Sequence, residues 1–225
     1  MLKAVYFPRL KLLVQYDKTL SNFAFNFNLR LYFRVVREEH HDFNAWTKAF
    51  AFTRCGKLIG IHIAAYGVNE GIHGDDMESF RVLSKAVASA ASEMNIGQSV
   101  VALIAAGKLA ASGAELDHEL VRALCTAATR VASHSNMNSQ LLGSLLLAVG
   151  QLAQSGADVD QEAVTALSKA VIRTAPTMRC DDETMTRWAF GKLAERGKAQ
   201  QILPRAHRVI DMLFEPSCLE VNGKL

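Results

Sequence analysis

The sequence contains two short clusters of side chains that are able to bind a metal ion or transfer a proton. His40 and His41 stand in the run 38–42, whose other three members are carboxylates, and residues 181–183 are three consecutive carboxylates. Imidazole and carboxylate groups are common metal ligands. We interpret the first cluster as a solvated charged turn and the second as the acidic first turn of a helix, where negative charge is favourable. Neither cluster therefore predicts a metal site.

No sequence motif of an enzyme or a nucleotide-binding protein accompanies these residues. The chain has no P-loop and no G-x-G-x-x-G, H-E-x-x-H or G-x-S-x-G pattern. Trp188 and Phe190 have side chains that are able to stack on a nucleic-acid base, but the place of Trp188 in the repeat described below favours packing in the core. We therefore predict a non-enzymatic protein with no catalytic residue, no cofactor and no metal.

The four cysteines lie far apart in the chain. Cys55, Cys125, Cys180 and Cys218 form no C-x-x-C pair, which argues against a zinc site or a thioredoxin-like site. We predict four free thiols in a reducing compartment, and the apolar neighbours of Cys125 predict a position in the core.

Basic residues concentrate at the two ends of the chain. Residues 1–54 hold nine Lys/Arg and four Asp/Glu, residues 70–168 hold five and eleven, and residues 169–208 hold nine and four. Contacts to RNA phosphates require clustered, exposed Lys and Arg side chains, and Arg187, Lys192 and Arg196 are spaced to line one side of a helix. The predicted RNA-binding residues are Arg173, Arg179, Arg187, Lys192, Arg196, Lys198, Arg205, Arg208, Lys3, Arg9 and Lys11. The alternative is a solvated face whose cations pair with Glu195 and with the carboxylates at 181–183.

An internal repeat organises most of the chain. The pattern A-x-G-x-L-A-x-x-G occurs at 105–113, 148–156 and 189–197, with an eroded copy at 65–67. Its central glycines, which are spaced by 40, 43 and 41 residues, are Gly67, Gly107, Gly150 and Gly191. Two further features share this period. One is a series of leucines, Leu83, Leu124 and Leu167, and the other is a series of aspartates, Asp76, Asp117 and Asp160. Features that recur in one phase indicate a repeat architecture.

Each unit is predicted to form two helices. Val100, Val101, Ile104 and Leu109 fall mostly on one helical face. The last glycine of the pattern predicts a left-handed helix end, and the aspartate that follows predicts the N-cap of the second helix. Recurring glycines inside the first helix predict close contact between helices. We therefore predict an all-α fold, an α-solenoid of about four helix pairs with a period of 40–43 residues, over residues 55–214.

Residues 1–54 do not follow this period. Phe23, Phe25, Phe27, Leu29 and Phe33 belong to an alternating apolar run that is typical of a strand. We predict a basic, aromatic N-terminal segment that is a β-hairpin or an extended arm, with a divergent helical cap as the alternative. Residues 215–225 form a predicted C-terminal tail. No stretch of 18 apolar residues predicts a membrane span.

Two of the repeated helices resemble a known family. Residues 146–152 and 185–193 look like the W-A-x-x-K-L helix of the organellar RNA-binding helical repeats, namely the octotricopeptide and heptatricopeptide families and the repeats found beside RAP domains. The resemblance covers residues 55–214 and implies a mitochondrial or plastid location and binding to RNA, often ribosomal RNA. The units are longer than is usual in those families, which leaves armadillo-like or HEAT-like repeats open. We expect no RAP domain and no nuclease activity associated with it.

Two functions from different classes fit these features. The first is a structural, RNA-associated subunit of an organellar ribonucleoprotein, most simply a mitochondrial ribosomal protein that contacts ribosomal RNA (rRNA) through its basic ends and neighbouring proteins through its acidic middle. The second is a protein–protein scaffold or accessory subunit of another large organellar complex, which binds no RNA. In the second function the acidic units bind a partner and the N-terminal arm docks by strand addition.

Overall fold

The computed structural model of the protein describes residues 34, 36–38, 41, 43–66, 74–135 and 137–196. These residues form seven α-helices, which are α1 (Ala45–Tyr66), α2 (Gly74–Ala90), α3 (Ile96–Ala111), α4 (His118–Ala132), α5 (Ser139–Gln154), α6 (Gln161–Thr174) and α7 (Cys180–Glu195), and a 3-10 turn at Ala175–Thr177. The described part of the chain contains no strand, so the predicted all-α class is confirmed. The predicted strand or arm over 23–33 and the tail at 215–225 lie outside the described residues.

The helices pack in two layers. The odd-numbered helices α1, α3, α5 and α7 lie side by side in chain order, and the even-numbered helices α2, α4 and α6 form a second row behind them. Each even helix also contacts the odd helix that precedes it. The core lies between the two layers, and the predicted anchors Leu83, Leu124 and Leu167 are fully buried in it. The packing of each helix therefore depends on its sequence neighbours and on the helices one unit away.

An asparagine starts each of the first three odd helices. The Oδ1 atoms of Asn44, Asn95 and Asn138 accept hydrogen bonds from backbone amides three residues later, at 2.8–2.9 Å. A short polar side chain at this position satisfies an amide that has no partner within the helix. Asn95 and Gln98 also form a reciprocal capping box.

Aspartates start the second helices of the middle two pairs, as predicted. Asp117 accepts a hydrogen bond from the amide of Glu119 at 2.8 Å, and Asp160 accepts one from Glu162 at 3.0 Å. Gly113 and Gly156, which lie two residues after the ends of the preceding odd helices, have φ angles of +86° and +93°. Only glycine adopts this conformation without strain, so the predicted left-handed helix ends are confirmed at both positions.

Glycines allow the odd helices to approach each other closely. A Cβ atom on Gly107 would lie 2.7 Å from the Cα atom of Ala148 and 2.8 Å from its carbonyl oxygen. A Cβ atom on Gly150 would lie 2.9 Å from the Cα atom of Ala189. These are backbone contacts that any larger residue would force apart. The predicted close helix contact is confirmed at both glycines, whereas no described atom lies within 4 Å of a Cβ on Gly191.

In the first pair, the glycine that meets the next odd helix is Gly56. Its Cβ would lie 3.1 Å from Leu109 on α3, and it follows Asn44 by 12 residues, as Gly107 follows Asn95. The predicted anchor Gly67 lies beyond the end of α1 and outside the described residues. The first spacing is therefore 51 residues, because α1 continues ten residues past Gly56 before it ends at Tyr66.

Helix α1 also begins earlier than the predicted start of the repeats at residue 55. It starts at Ala45, and residues 36–38 are helical as well. The cap at Asn44 explains this start, and the helix places Ala49, Ala51 and Phe52 in the core. The last ten residues of the predicted N-terminal segment therefore belong to the helical layers.

Substitution of Gly107 by Ala should destabilise the protein, although Ala favours a helix over Gly by about 1 kcal/mol. The added methyl group must push α3 away from α5, and overpacking of this kind costs about 1–3 kcal/mol. The same change at Gly191 should stabilise the protein by up to about 1 kcal/mol, because no described atom opposes it. Urea denaturation of the two variants tests this difference, and equal stabilisation of both would contradict the close approach.

Burial raises the pKa of the thiols of Cys55 and Cys125 above the usual value of 9.0. Both are free and buried, as predicted for Cys125, whereas the free Cys180 is exposed. In the unfolded chain these thiols ionise near pH 9, while in the folded protein they keep their protons. The unfolded state therefore binds fewer protons at alkaline pH, and stability must fall as the pH rises.

Above about pH 9, each buried thiol should lower the free energy of unfolding by up to about 1.4 kcal/mol per pH unit. Urea denaturation under reducing conditions measures this slope. Cys55→Ala should reduce the slope. An unchanged slope in Cys55→Ala would show that this thiol ionises in the folded state.

Candidate partner-binding surface

Two of the predicted RNA-binding arginines bond to carbonyl oxygens of the protein itself. The guanidinium of Arg173, at the end of α6, donates to the carbonyl oxygens of Ala132 and His134 at 2.8 and 3.1 Å. Arg196 follows α7 and donates to the carbonyl oxygen of Gln154 at 3.0 Å. The last carbonyls of a helix have no partner within it, so both arginines complete the end of a helix in the preceding unit.

Arg130 makes the same kind of contact one unit earlier than Arg173. Its guanidinium donates to the carbonyl oxygens of Ala91, Ser92 and Met94 at 2.6–2.9 Å. We call Arg130, Arg173 and Arg196 the arginine staples, because each joins one helix end to the next unit across 36 to 42 residues of sequence. Charge-assisted hydrogen bonds of this kind are stronger than neutral ones.

The other predicted cations within the described residues lie on α7 or at its start. The Nε atom of Arg187 donates to Glu183 at 2.7 Å, and Lys192 pairs with Glu195 at 3.1 Å. Arg179 is the N-cap residue of α7. Arg187, Lys192 and Arg196 thus bond to three different partners, and pairing with Glu195 agrees with the alternative of a solvated, paired face. Lys198, Arg205, Arg208, Lys3, Arg9 and Lys11 lie outside the described residues.

The predicted acidic run at 181–183 forms the first turn of α7. Asp182 and Glu183 are buried, and Asp182 accepts a hydrogen bond from the amide of Arg179 at 3.3 Å. This confirms the run as a helix start. Within the described residues, no group of three or more His, Cys, Asp or Glu side chains is placed to hold a metal ion.

Acidic side chains line a cavity at one end of the two layers. The cavity, of 520 Å³, lies between the α3–α4 and α5–α6 loops and is lined in part by Glu115, His118 and Asp158. His118 and Asp158 approach to 3.9 Å across it. Two further carboxylates at this end, Asp117 and Asp160, cap the even helices.

The outward surface of the even helices is charged. We call it the even face, and it carries the exposed side chains Arg81 and Lys85 on α2, Arg122 on α4, and Lys169 on α6. Arg81 pairs with Glu78 at 3.7 Å. Exposed Thr126 lies between these cations on α4, so a chain of separated positive charges crosses the even face.

The outward surface of the odd helices carries apolar side chains among polar ones. On each odd helix, the outward positions are 10, 6 and 3 residues before the glycine and one residue after it. At 100° per residue, these four positions lie about a quarter-turn around the helix from the glycine. Apolar side chains occupy many of them and form the set that we call the apolar band, which consists of Trp46, Phe50, Val101, Ile104, Leu147 and Trp188. Trp46 and Val101 are 41% and 43% exposed, and the other four are half-buried.

The band has internal order. The rings of Trp46 and Phe50 stack in parallel with centroids 5.3 Å apart. Trp188 packs against the core, as predicted, and its Cζ3 atom lies 2.9 Å from where a Cβ on Gly150 would be. Its indole therefore leans across the seam between α5 and α7, and it leaves part of its surface on the outside.

A row of lysines borders the apolar band. Lys57, Lys108 and Lys192 directly follow Gly56, Gly107 and Gly191, and we call them the lysine row. Lys57 and Lys108 are exposed, whereas Lys192 is half-buried beside Glu195. The ammonium groups stand about one helical turn beyond the band, on the side of the acidic loops.

The sequence pattern did not predict the apolar band or the lysine row. Val101 shares a helical face with core residues in the prediction, but in the structure Val100 is 3% exposed and Val101 is 43% exposed. The two residues differ by one position, which is 100° around the helix and leads from the core to the outside. The recurring G-K-L triplets at 56–58, 107–109 and 191–193 were the available signal for the lysine row.

Comparison of the chain with protein-family models, with curated proteins and with solved structures finds no match. In the part of the chain that the structure describes, no helix is both long enough and apolar enough to span a bilayer.

Replacement of Arg173 by Met should destabilise the protein while keeping the apolar stem of the side chain. Hydrogen bonds that involve a charged group contribute about 1.5–3 kcal/mol, so we expect a loss of about that size. Lys169→Met, one turn earlier on α6, removes an exposed cation and should change stability by less than about 0.5 kcal/mol. Thermal and urea denaturation compare the two. Equal, negligible effects would mean that Arg173 is available for an external partner.

Proposed function

We propose that the protein is a non-enzymatic α-solenoid scaffold that binds a protein partner across its odd helices. The observation that carries this proposal is the apolar band, with Trp46 and Val101 more than two-fifths exposed. Single exposed apolar residues are common on any protein. A band that repeats at equivalent positions of neighbouring helices and has a charged border is typical of an interaction site.

The contrast between the two layers supports this function. Outward positions on the even helices are mostly polar, as expected for a surface in contact with water. Ile172 is the exposed large apolar side chain among them. Solvation alone would produce the same composition on both faces. The difference is explained if the odd face is covered by a partner that excludes water.

The glycine contacts also support the odd face as the binding face. Gly107 on Ala148 and Gly150 on Ala189 bring the odd helices together with backbone contacts. Helices α4 and α6 contain no glycine, so side chains separate the even row. Axes of packed helices stand about 8–10 Å apart, depending on the residues in contact. A stack with one tighter row is expected to bend toward that row, which would put the odd helices on the concave side, and concave faces are the usual binding surfaces of solenoids.

The composition of the band favours protein over RNA as the partner. Val101, Ile104 and Leu147, which are half of the band, are aliphatic and offer no ring on which a base can stack. The band also has few free cations, whereas RNA affinity grows with the number of phosphate contacts. Aliphatic and aromatic side chains together are characteristic of the centre of a protein interface.

RNA binding remains the second candidate, and a different surface favours it. Lys85, Arg122 and Lys169 are exposed on the even face, where they present positive charge along one side of the protein. Under this candidate the protein is the structural subunit of a mitochondrial ribosome that the family resemblance implies, and the even face lies on rRNA.

Sedimentation of a lysate from cells that contain the protein distinguishes these functions. We expect the protein to migrate in a large complex that survives ribonuclease treatment. Val101→Glu should release at least 90% of the protein from that complex, because an unpaired charge at an apolar contact costs several kcal/mol. Thr126→Glu, an equal change on the even face, should leave the complex intact.

The opposite pattern would overturn the scaffold proposal. A complex that collapses with ribonuclease, and that Thr126→Glu disrupts while Val101→Glu does not, would show that the even face binds RNA. Circular dichroism melting curves of both variants confirm that each is folded.

A further inference from the structure

The lysine row adds a chemical requirement for whatever covers the apolar band. Lys57 and Lys108 stand at equivalent positions on α1 and α3, both exposed. Each directly follows the glycine that meets the next helix. The band and the row run in the same direction, across the helices, so one elongated partner is able to contact both along its length.

We propose that the occupant of the odd face is an amphipathic helix of a partner protein, with an apolar stripe on the band and an acidic edge on the lysine row. This inference rests on the proposed function, and it adds the shape and charge of the partner segment. Helix-in-groove binding of this kind is a common mode of peptide recognition.

The dimensions of the surface fit a helix. Four neighbouring odd helices, with axes about 8–10 Å apart, give the band a length of about 24–30 Å. A helix of about 16–20 residues has that length at 1.5 Å per residue. Taken together, the band residues run from ten to three residues before the glycine, which is about 10 Å along the helix axes and matches the diameter of a helix with its side chains. Helices α1 and α3 each contribute two of these residues, and α5 and α7 contribute one each.

The distance between band and row fits the edge of such a helix. Ile104 and Lys108 are four residues apart on α3, which corresponds to about 6 Å along the helix axis. An occupant centred on the band therefore places its flank over the ammonium groups. Lys57 and Lys108 lie on adjacent odd helices, so carboxylates about six or seven residues apart on the occupant would meet both.

The charge of the row excludes the basic N-terminal segment of this chain as the preferred occupant. Residues 1–33 contain five Lys/Arg and a single acidic residue, Asp17. Apolar contacts from its phenylalanines would bring these positive charges beside Lys57 and Lys108, and like charges in contact are unfavourable. An acidic edge on a partner helix would instead be attracted to the same lysines.

Two synthetic 20-residue helical peptides test the proposal against the full-length protein. Both carry the same leucine stripe, and one has glutamates along one edge where the other has lysines. Fluorescence anisotropy at low and at physiological salt measures their affinities. We expect the glutamate peptide to bind at least tenfold more tightly than the lysine peptide, with an advantage that shrinks as salt rises.

Variants of the protein locate the binding. The double change Lys57→Glu and Lys108→Glu should remove or reverse the preference for the glutamate peptide, while Lys85→Glu on the even face should not alter it. Val101→Glu should weaken both peptides. Melting curves show which variants are folded, and Lys57→Gln with Lys108→Gln provides a milder pair that should reduce the preference.

Three outcomes would overturn the inference, and they are distinguishable from each other. If both peptides bind equally and Val101→Glu abolishes the binding, the proposed acidic edge of the partner is wrong, but the scaffold function still holds. Absence of binding by either peptide, or binding that Val101→Glu does not affect, would contradict the scaffold function itself. Displacement of the glutamate peptide by a single-stranded RNA homopolymer that binds more tightly would make RNA the occupant.

Discussion

The close contact between a glycine on one odd helix and an alanine on the next is the constraint on which the other features depend. Gly107 and Gly150 leave room for the backbones of Ala148 and Ala189, so α3, α5 and α7 meet in a close setting that depends on these two glycines. That setting fixes which positions turn inward to the core, which meet the neighbouring helices and which face outward. A side chain at either glycine would move two helices and would displace every outward residue beyond them.

The two layers have consequently taken different roles. Capping and stapling use several of the charged groups of the even helices and their loops, as with Asp117, Asp160 and Arg173. Helices α3, α5 and α7 contact each other through the backbone at their glycines, and the Arg196 staple also joins α7 to the end of α5. Their outward positions are thereby free to hold Val101, Leu147 and other apolar residues without loss of internal bonds.

The sequence predicted the regular features of this fold well and the first unit less well. Asp117 and Gly113 were predictable because a helix end has local requirements for one side chain or one dihedral angle. Gly56 was missed because α1 is longer than the other odd helices, and the eroded match at Gly67 fitted a constant period. The roles of Arg173 and Arg196 were not predictable from sequence, because their acceptors on Ala132 and Gln154 are backbone carbonyl oxygens, which every residue type has. The exposure of Val101 depends on a single step around a helix, which only the packed structure reveals.

The arginine staples all point in the same direction along the chain. Arg130, Arg173 and Arg196 each hold a helix end that was synthesised about 40 residues earlier. During translation, the carbonyls that follow α2 and those at the ends of α4 and α5 must therefore stay hydrated until the following unit leaves the ribosome. These chain segments gain their last hydrogen bonds only when the next unit has been made, so the internal bonds of one unit are completed by the sequence that follows it.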